Sequence, residues 1–201
     1  MVEYFESQYR ILNEAIESKG LAKFGPMSSF TWNTDPKRLL FVLSRYKFAA
    51  RMLEGSKSVI EIGCGDGFAS RIVKQHVNNL LITDADPVMI KSAESVQSPD
   101  FPVSSLCHDF CKSPLADKSL VFDAAYMLDV LEHIHQEEEK RFFDNLSQSL
   151  TPNAKVIIGI PSLESQIYAS PGSIEGHVNC KTKEELYTTL SKVFRLSLIH
   201  I

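Results

Sequence analysis

Apolar residues recur at helical spacing in two segments of the first quarter of the chain. Between residues 4 and 18 they predict an amphipathic helix. A second helix is predicted to begin at Asp35-Pro36, because aspartate is a good N-cap, proline suits the first helical position and apolar residues follow at helical spacing. The intervening residues 24–33 mix glycine and proline with aromatic side chains, so we predict a loop that buries apolar surface. Residues 1–56 are therefore interpreted as an N-terminal helical cap.

From residue 58 the pattern changes to short β-rich runs separated by helical segments. The runs cover residues 58–62, 80–83, 103–107, 121–127, 155–160 and 194–201. Alternation of strand and helix is typical of a parallel sheet with helices on both faces, whose ligands bind at the carboxyl ends of the strands. We therefore predict an α/β fold for residues 57–201, a doubly wound and mostly parallel Rossmann-like sheet.

Length and charge narrow the class of protein. The 201 residues have room for one domain with an N-terminal addition, but not for a separate substrate domain. The net charge of -4 comes with no basic block, so we expect no nucleic-acid partner. No apolar run approaches the ~20 residues that span a bilayer, and the acidic start lacks the basic flank of a signal peptide, so we expect a cytoplasmic protein without a membrane partner. Free thiols are expected at Cys64, Cys107, Cys111 and Cys180.

A glycine-rich turn follows the first predicted strand. Glycines at positions 63, 65 and 67 let a ligand approach the backbone closely. The dinucleotide fingerprint G-x-G-x-x-G requires its third glycine at position 68, where this chain has Phe68, so a dehydrogenase is disfavoured. The G-x-G-x-G spacing, with Glu61 in the preceding strand, resembles the first motif of class I S-adenosylmethionine-dependent methyltransferases.

Further segments resemble motifs of the same family in the same order. They are the second strand with its terminal acid, residues 107–110, the fourth strand at 122–134 and the turn into strand five at 150–158. The resemblance is to the small-molecule, type 11-like branch, and it implies S-adenosyl-L-methionine as the cofactor. It further implies that Asp84, 21 positions after Gly63, accepts from the ribose hydroxyls, that Asp109 accepts from the adenine amino group, and that Phe110 lies against the adenine ring. The implied cofactor-binding residues are Arg45, Glu61, Gly63, Cys64, Gly65, Gly67, Asp84, Ala85, Asp109 and Phe110.

Two of these residues have alternative interpretations. Glu61 either orders the glycine turn through hydrogen bonds or faces the methionine end of the cofactor. Arg45 is placed like basic residues that pair with the methionine carboxylate in some relatives, and the alternative is an exposed helix arginine. Both alternatives stay open at the level of the sequence.

The chemistry of a hydroxyl acceptor requires alignment with the sulfonium methyl and removal of a proton. The candidate catalytic bases are His133, at the end of strand four, and His177, after strand five; each is alternatively a structural histidine. The run from Asp129 to His133 is similar to the metal-binding Glu-x-x-Glu-His run of ubiquinone-biosynthesis and small-RNA 2′-O-methyltransferases. Because Asp129 replaces the first glutamate, and because Glu132 near a helix start is explained by the helix dipole, we predict no metal.

The prediction for function is an S-adenosylmethionine-dependent methyltransferase that acts on a small polar acceptor, an oxygen of a sugar or related metabolite. The alternative is a non-catalytic S-adenosylmethionine-binding or scaffolding protein with the same fold. Substrate choice is expected to reside in the N-terminal segment and the loop 161–180, with Phe30, Trp32, Tyr168 and His177 as the wall. A strand over residues 194–201 leaves no residues for the seventh, antiparallel strand of the family, so we expect a sheet that lacks it. The sequence leaves the oligomeric state open.

Overall fold

A computed structural model describes residue 6 and residues 8–195. The helices are α1 (Gln8–Lys19), α2 (Pro26–Thr34), α3 (Pro36–Met52), α4 (Ser70–Lys74), α5 (Pro87–Ser95), α6 (Glu139–Ser147), α7 (Pro171–Gly176) and α8 (Lys183–Ser191). The strands are β1 (Ser58–Ile62), β2 (Asn79–Asp84), β3 (Ser104–Cys107), β4 (Phe122–Leu128) and β5 (Leu150–Gly159). Short 3₁₀ helices cover Leu131–His133 and Leu163–Tyr168.

The five strands form one parallel sheet in the order β3-β2-β1-β4-β5. The order reverses direction at β1, which pairs with β2 on one side and β4 on the other. Because the strands are parallel, their carboxyl ends meet along one edge, and the crevice at the reversal is where ligands of such sheets bind. The predicted doubly wound α/β class is confirmed.

The core lies on both faces of the sheet. Strand β1 alternates its side chains between them, with Val59 in one apolar cluster and Ile60 in the other. The first cluster includes Tyr46 and Leu53 from the α3 segment, and the second includes Phe142 of α6. Burial on both faces explains why β1 and β4 read as nearly continuous apolar runs. Helix α3 therefore belongs to the core of the sheet, although the sequence places it in the N-terminal cap.

Two details differ from the sequence prediction. Residues 24–33, predicted as a loop, include most of helix α2, so that prediction was wrong. The N-cap residue of this helix is Gly25, which has no side chain to cap it. A capping side chain is the signal by which a sequence indicates the start of a helix, and this helix lacks it. Strand β5 begins at Leu150, earlier than the predicted residue 155.

The two ends of the chain are described only in part. Residues 196–201 of the predicted sixth strand lie outside the described residues, whereas Phe194 and Arg195 are described and are not in a strand. The expected lack of a seventh strand stays a prediction. None of the described helices is long and apolar enough to cross a bilayer.

The orientation of α3 is testable with two adjacent leucines. Leu39 is 6% exposed and Leu40 is 72% exposed. We expect Leu39→Ala to lower the free energy of unfolding by about 2–5 kcal/mol, because it leaves a cavity under the helix. Leu40→Ala, the matched control, should change it by less than about 0.5 kcal/mol. Urea unfolding of the two variants checks this, and equal losses would contradict the orientation of α3.

Candidate active site

The glycine turn leaves β1 at the point where the strand order reverses. Gly63, Gly65 and Gly67 have φ values of 68°, 55° and 66°, in the left-handed region that favours glycine. A Cβ at Gly63 would lie 2.4 Å from Cγ2 of Val130, and one at Gly67 would lie 2.7 Å from Cβ of Ala93. The turn therefore requires glycine both for its backbone conformation and for the close approach of neighbouring side chains.

Asp84 ends β2 beside this turn. One oxygen of its carboxylate accepts from the backbone N–H of Gly65 at 2.9 Å, and the other accepts from that of Asp86 at 2.9 Å. A carboxylate has about four acceptor sites, so the half-buried Asp84 can still accept from a ribose. Ala85 follows it on the exposed rim. The turn and the acid thus form one connected unit, which fits the adenosine portion of the implied cofactor.

The predicted adenine contacts have different outcomes. Asp109 accepts from the backbone N–H of Cys111 and pairs with Lys112 at 3.1 Å, and its side chain stays partly open to solvent. Phe110 is 2% exposed, and its ring lies edge-on to His108 and to Phe142 in the core. The structure therefore corrects the stacking role implied for Phe110, because a ring enclosed by core side chains has no face for an adenine.

Glu61 is buried below the turn. Its carboxylate accepts from the hydroxyl groups of Tyr46 at 2.7 Å and Tyr126 at 2.6 Å. Burial raises the pKa of Glu61, while the two hydroxyl bonds oppose that rise. Neither bond reaches the glycine turn, and Glu61 is closed off from solvent. Glu61 therefore joins α3, β1 and β4, and the two roles that the sequence left open stay predictions. Cys64 is also buried, and its burial raises the pKa of the thiol.

Arg45 extends from α3 to the carboxyl end of β4. Its Nη1 atom lies 2.6 Å and 2.5 Å from the two carboxylate oxygens of Asp129. Asp129 has φ 58°, the one non-glycine residue with positive φ in the described chain. Strained backbone of this kind costs about 1–3 kcal/mol and is concentrated at functional sites. Arg45 is thus directed into the crevice and is not an ordinary exposed helix arginine.

The two candidate bases lie together in the folded chain. Glu132, His133 and His177 each offer one ligand atom, and these atoms lie within 4.8 Å of one another. Glu132 is fully buried, and neither of its carboxylate oxygens has a hydrogen-bond partner. Burial and the nearby carboxylate of Asp129 raise the pKa of Glu132 to about 8. With a pKa in this range the buried Glu132 is mainly a neutral acid at neutral pH, next to Asp129 and the two imidazoles.

Each imidazole of the cluster is oriented by one contact. His133 Nδ1 lies 2.8 Å from the carbonyl oxygen of Gly176, and His177 Nδ1 lies 2.9 Å from Oε1 of Gln166. In the tautomers that donate these bonds, both Nε2 atoms keep a lone pair. Two such imidazoles beside Glu132 form a donor set that can hold a divalent cation, and the prediction of no metal stays a prediction.

A buried polar group holds the loop that carries His177. The Asn179 N–H donates to the carbonyl oxygen of Glu132 at 3.0 Å, and its amide donates to Glu139 at 2.7 Å. Lys181 in turn lies 2.7 Å from the same glutamate oxygen and donates to Asn179 at 2.9 Å. Sequence reasoning missed this group, because nothing in the spacing links residues 40 positions apart.

Three of the four predicted wall residues are exposed. Phe30, Trp32 and Tyr168 all have more than half of their surface open to solvent. A parallel bridge between Ser162 and Lys181 closes the base of the loop that carries Tyr168. Their role as a wall for the acceptor stays a prediction.

The parallel sheet with reversed order at β1, the left-handed glycine turn and the acid at the end of β2 together define a class I methyltransferase domain. Residues 60–158 match the family model described as a methyltransferase domain. The chain therefore contains a domain of the class I S-adenosylmethionine-dependent methyltransferases, as the motifs predicted, and S-adenosyl-L-methionine is the cofactor of that family.

Known proteins similar to the chain agree with this assignment. The mitochondrial ubiquinone biosynthesis O-methyltransferase of Arabidopsis thaliana is 29% identical over 169 residues, covering 75% of this chain and 51% of the relative. That of Schizosaccharomyces pombe is 25% identical over 164 residues, covering 77% and 58%. The chain thus spans little more than half the length of these relatives. The solved DhpI-SAH complex has a TM-score of 0.62 at 14% identity over 83% of this chain and 81% of that one, which supports the fold.

The buried Glu61 group predicts a pH-dependent loss of stability in Tyr126→Phe. The variant removes one of two donors to the carboxylate, so we expect unfolding to become easier by about 1–3 kcal/mol at neutral pH. The folded-state pKa of Glu61 already lies above its unfolded value, so its ionisation destabilises the fold as the pH rises. Losing a donor raises that pKa further. The difference in the free energy of unfolding between variant and parent, measured by urea unfolding, should therefore widen from pH 5 to pH 8.

Tyr187→Phe is the matched control, because Tyr187 lies half-exposed on α8 and away from Glu61. It should leave stability within about 0.5 kcal/mol of the parent at both pH values. A Tyr126→Phe loss that is equal at pH 5 and pH 8 would show that the hydroxyl does not act through the charge of Glu61.

Proposed function

We propose that the chain is an S-adenosylmethionine-dependent O-methyltransferase for a small hydroxylated acceptor. The observation that carries this proposal is the meeting of the buried Glu132 with His133 and His177 beside Val130, the residue that packs against Gly63 of the glycine turn. The names of the two similar O-methyltransferases support transfer to oxygen. Sugars, phenols and related metabolites are the acceptors that this proposal includes.

The cofactor is proposed to lie across the reversal point of the sheet. Asp84 accepts from the ribose, and Asp109 accepts from the adenine amino group. Arg45 takes the methionine carboxylate, for which it exchanges part of its contact with Asp129. The sulfonium supplies an activated methyl group, and the contribution of the chain is to hold its acceptor in line, which is worth about 7–11 kcal/mol in well-oriented reactions.

The acceptor hydroxyl is proposed to enter between the imidazoles and Glu132. An imidazole Nε2 with a free lone pair removes the hydroxyl proton, and a positioned base of this kind contributes about 10²–10⁴-fold. His133 and His177 are both placed for this role, because their Nδ1 atoms are already engaged. We propose, as the alternative use of the same donor set, that Glu132, His133 and His177 hold a divalent cation, which when bound would lower the pKa of the acceptor hydroxyl. Because each Nε2 has one lone pair, an imidazole that ligates the cation is not the base.

A rival proposal is a non-catalytic protein that binds the cofactor and does not turn it over. The meeting of Glu132, His133 and His177 at one point favours the enzyme, because a scaffold gains nothing from it. Turnover discriminates the two. Accumulation of S-adenosylhomocysteine with catechol, phenol or sugar acceptors supports the enzyme, whereas tight binding without product from any of them supports the rival.

The cofactor site is tested through Asp84. We expect Asp84→Ala to weaken binding of S-adenosylhomocysteine at least about tenfold, because charge-assisted bonds contribute about 1.5–3 kcal/mol each. Asp117→Ala, in an exposed turn remote from the crevice, is the control and should bind normally. Isothermal titration calorimetry measures both, and an unchanged Kd for Asp84→Ala would reject this carboxylate as the ribose ligand.

The acceptor site is tested through Glu132→Gln and His177→Ala. We expect both to bind S-adenosylhomocysteine with the parent affinity and to lose about 10²-fold or more of methyl transfer. Both should also lose binding of Mn²⁺ measured by calorimetry. His76→Ala is the control, because His76 lies beside Glu54 between the end of α4 and the start of β2, at the opposite end of the strands from the crevice.

The outcomes separate the two roles of the cluster. Parent-like turnover of Glu132→Gln and of His177→Ala would reject the cluster as the acceptor site. Full turnover of the parent in EDTA, with loss in His177→Ala, would leave the histidine as base and remove the cation from the proposal.

A further inference from the structure

Helix α2 is capped by a residue from the glycine turn. Its N-cap position is Gly25, which has no side chain to offer, and the first turn would leave backbone N–H groups without partners. Asp66 supplies the missing acceptor from 38 positions away. Its Oδ2 accepts from the Ser28 N–H at 2.7 Å, and its Oδ1 accepts from the Ser28 hydroxyl at 3.1 Å. The cap of the N-terminal helix is therefore part of the cofactor turn.

The contact is close on both sides. A Cβ at Gly25 would lie 2.3 Å from Cβ of Asp66, so nothing larger than glycine fits at this position. Gly25 has φ -77°, which any residue adopts, so glycine is required here by the contact and not by the backbone. Next to it, the ring of Phe24 lies edge-on to that of Phe68 with centroids 4.6 Å apart. Residues 24–28 are fitted to the turn as a unit.

Asp66 contacts α2 from within the same glycine turn whose backbone we assign to cofactor binding. Asp66 is 5% exposed, and its Oδ1 also accepts from the Phe68 N–H at 3.2 Å, so the same carboxylate shapes the turn and caps the helix. A Cβ at Gly65 would lie 2.8 Å from Sδ of Met27, which puts α2 directly over the turn. Ser28 is the only buried residue that α2 contributes, and it is the residue bound to Asp66.

We propose that Asp66 is a positioning residue that couples α2 to the cofactor, so that docking of residues 24–34 and binding of S-adenosylmethionine strengthen each other. This inference rests on the proposed cofactor site. The coupling passes through the turn, because an undocked helix leaves Asp66 without its two bonds to Ser28 and frees the backbone that must meet the cofactor. Coupling of this kind is reciprocal, so each event changes the other by the same factor.

Two variants break the contact from opposite sides. Asp66→Ala removes the cap, and Gly25→Ala adds a methyl group that clashes with Asp66 while every residue of the turn keeps its identity. We expect each to weaken binding of S-adenosylhomocysteine about tenfold in calorimetry, within the usual range of coupling between sites. Gly172→Ala is the matched control, because a Cβ there meets nothing within 4 Å, and it should bind within about twofold of the parent.

Trypsin cleavage after Lys23 reports directly whether residues 24–34 are docked. The cleaved bond joins Lys23 to Phe24, and Phe24 must leave the ring of Phe68 before the protease can bind this segment. Cleavage after Lys118, in an exposed turn elsewhere, is the internal reference. Cleavage at Lys23 follows the fraction of molecules in which residues 24–34 are undocked. In the parent, saturating S-adenosylhomocysteine should therefore slow this cleavage by about the factor that the variants lose in affinity. In both variants cleavage should be faster without cofactor and no longer protected by it.

Parent-like affinity in both Asp66→Ala and Gly25→Ala would overturn the coupling while leaving the proposed function standing. A parent protein that does not bind S-adenosylhomocysteine at all would overturn both. Faster cleavage at Lys23 in the variants, with unchanged affinity for the cofactor, would show that Asp66 holds α2 for structural reasons alone and would likewise overturn the coupling. Weaker binding together with lost protection supports it.

Discussion

The pairing of β1 with both β2 and β4 is the constraint on which the rest of the molecule depends. Two parallel neighbours occupy both hydrogen-bonding edges of β1, and the strand order reverses beside it, so the chain that leaves β1 turns sharply in an open crevice. Glycines at positions 63, 65 and 67 make that turn possible, because each adopts the left-handed backbone conformation. Asp84 and the end of β4 reach the same crevice because their strands share the register of β1.

Two buried glutamates show how the sheet separates structure from chemistry. Glu61, in the middle of the interior, has a hydroxyl partner for each of its oxygens and ties a helix to two strands. Glu132, at the carboxyl edge, has none and lies beside two imidazoles. Burial raises the pKa of both side chains. Only the second lies within reach of two imidazoles, and that difference is what makes the edge of β4 reactive in our proposal.

Both segments that border the crevice are held by buried polar contacts over long sequence separations. Asp66 caps the N-terminal helix α2, and Asn179 with Lys181 holds the loop of His177 against Glu139. Buried hydrogen-bonded groups of this type are directional, so they determine position more sharply than apolar packing does. The framework of the sheet thus extends into segments that contribute little apolar surface to the core.

The sequence by itself determined the sheet, the cofactor turn and the acid at the end of β2. The sheet follows from local periodicity, and the turn and the acid follow from residue spacings within neighbouring strand-turn-helix units. It also named His133 and His177 separately as bases. Only the tertiary structure decided that they meet at Glu132, that Glu61 and Phe110 are interior, and that residues 26–34 are helical. The reason is the same in each case. A cap, a tyrosine partner or a facing imidazole that comes from 38 to 65 positions away leaves no mark on the local pattern, because it exists only once the strands have paired.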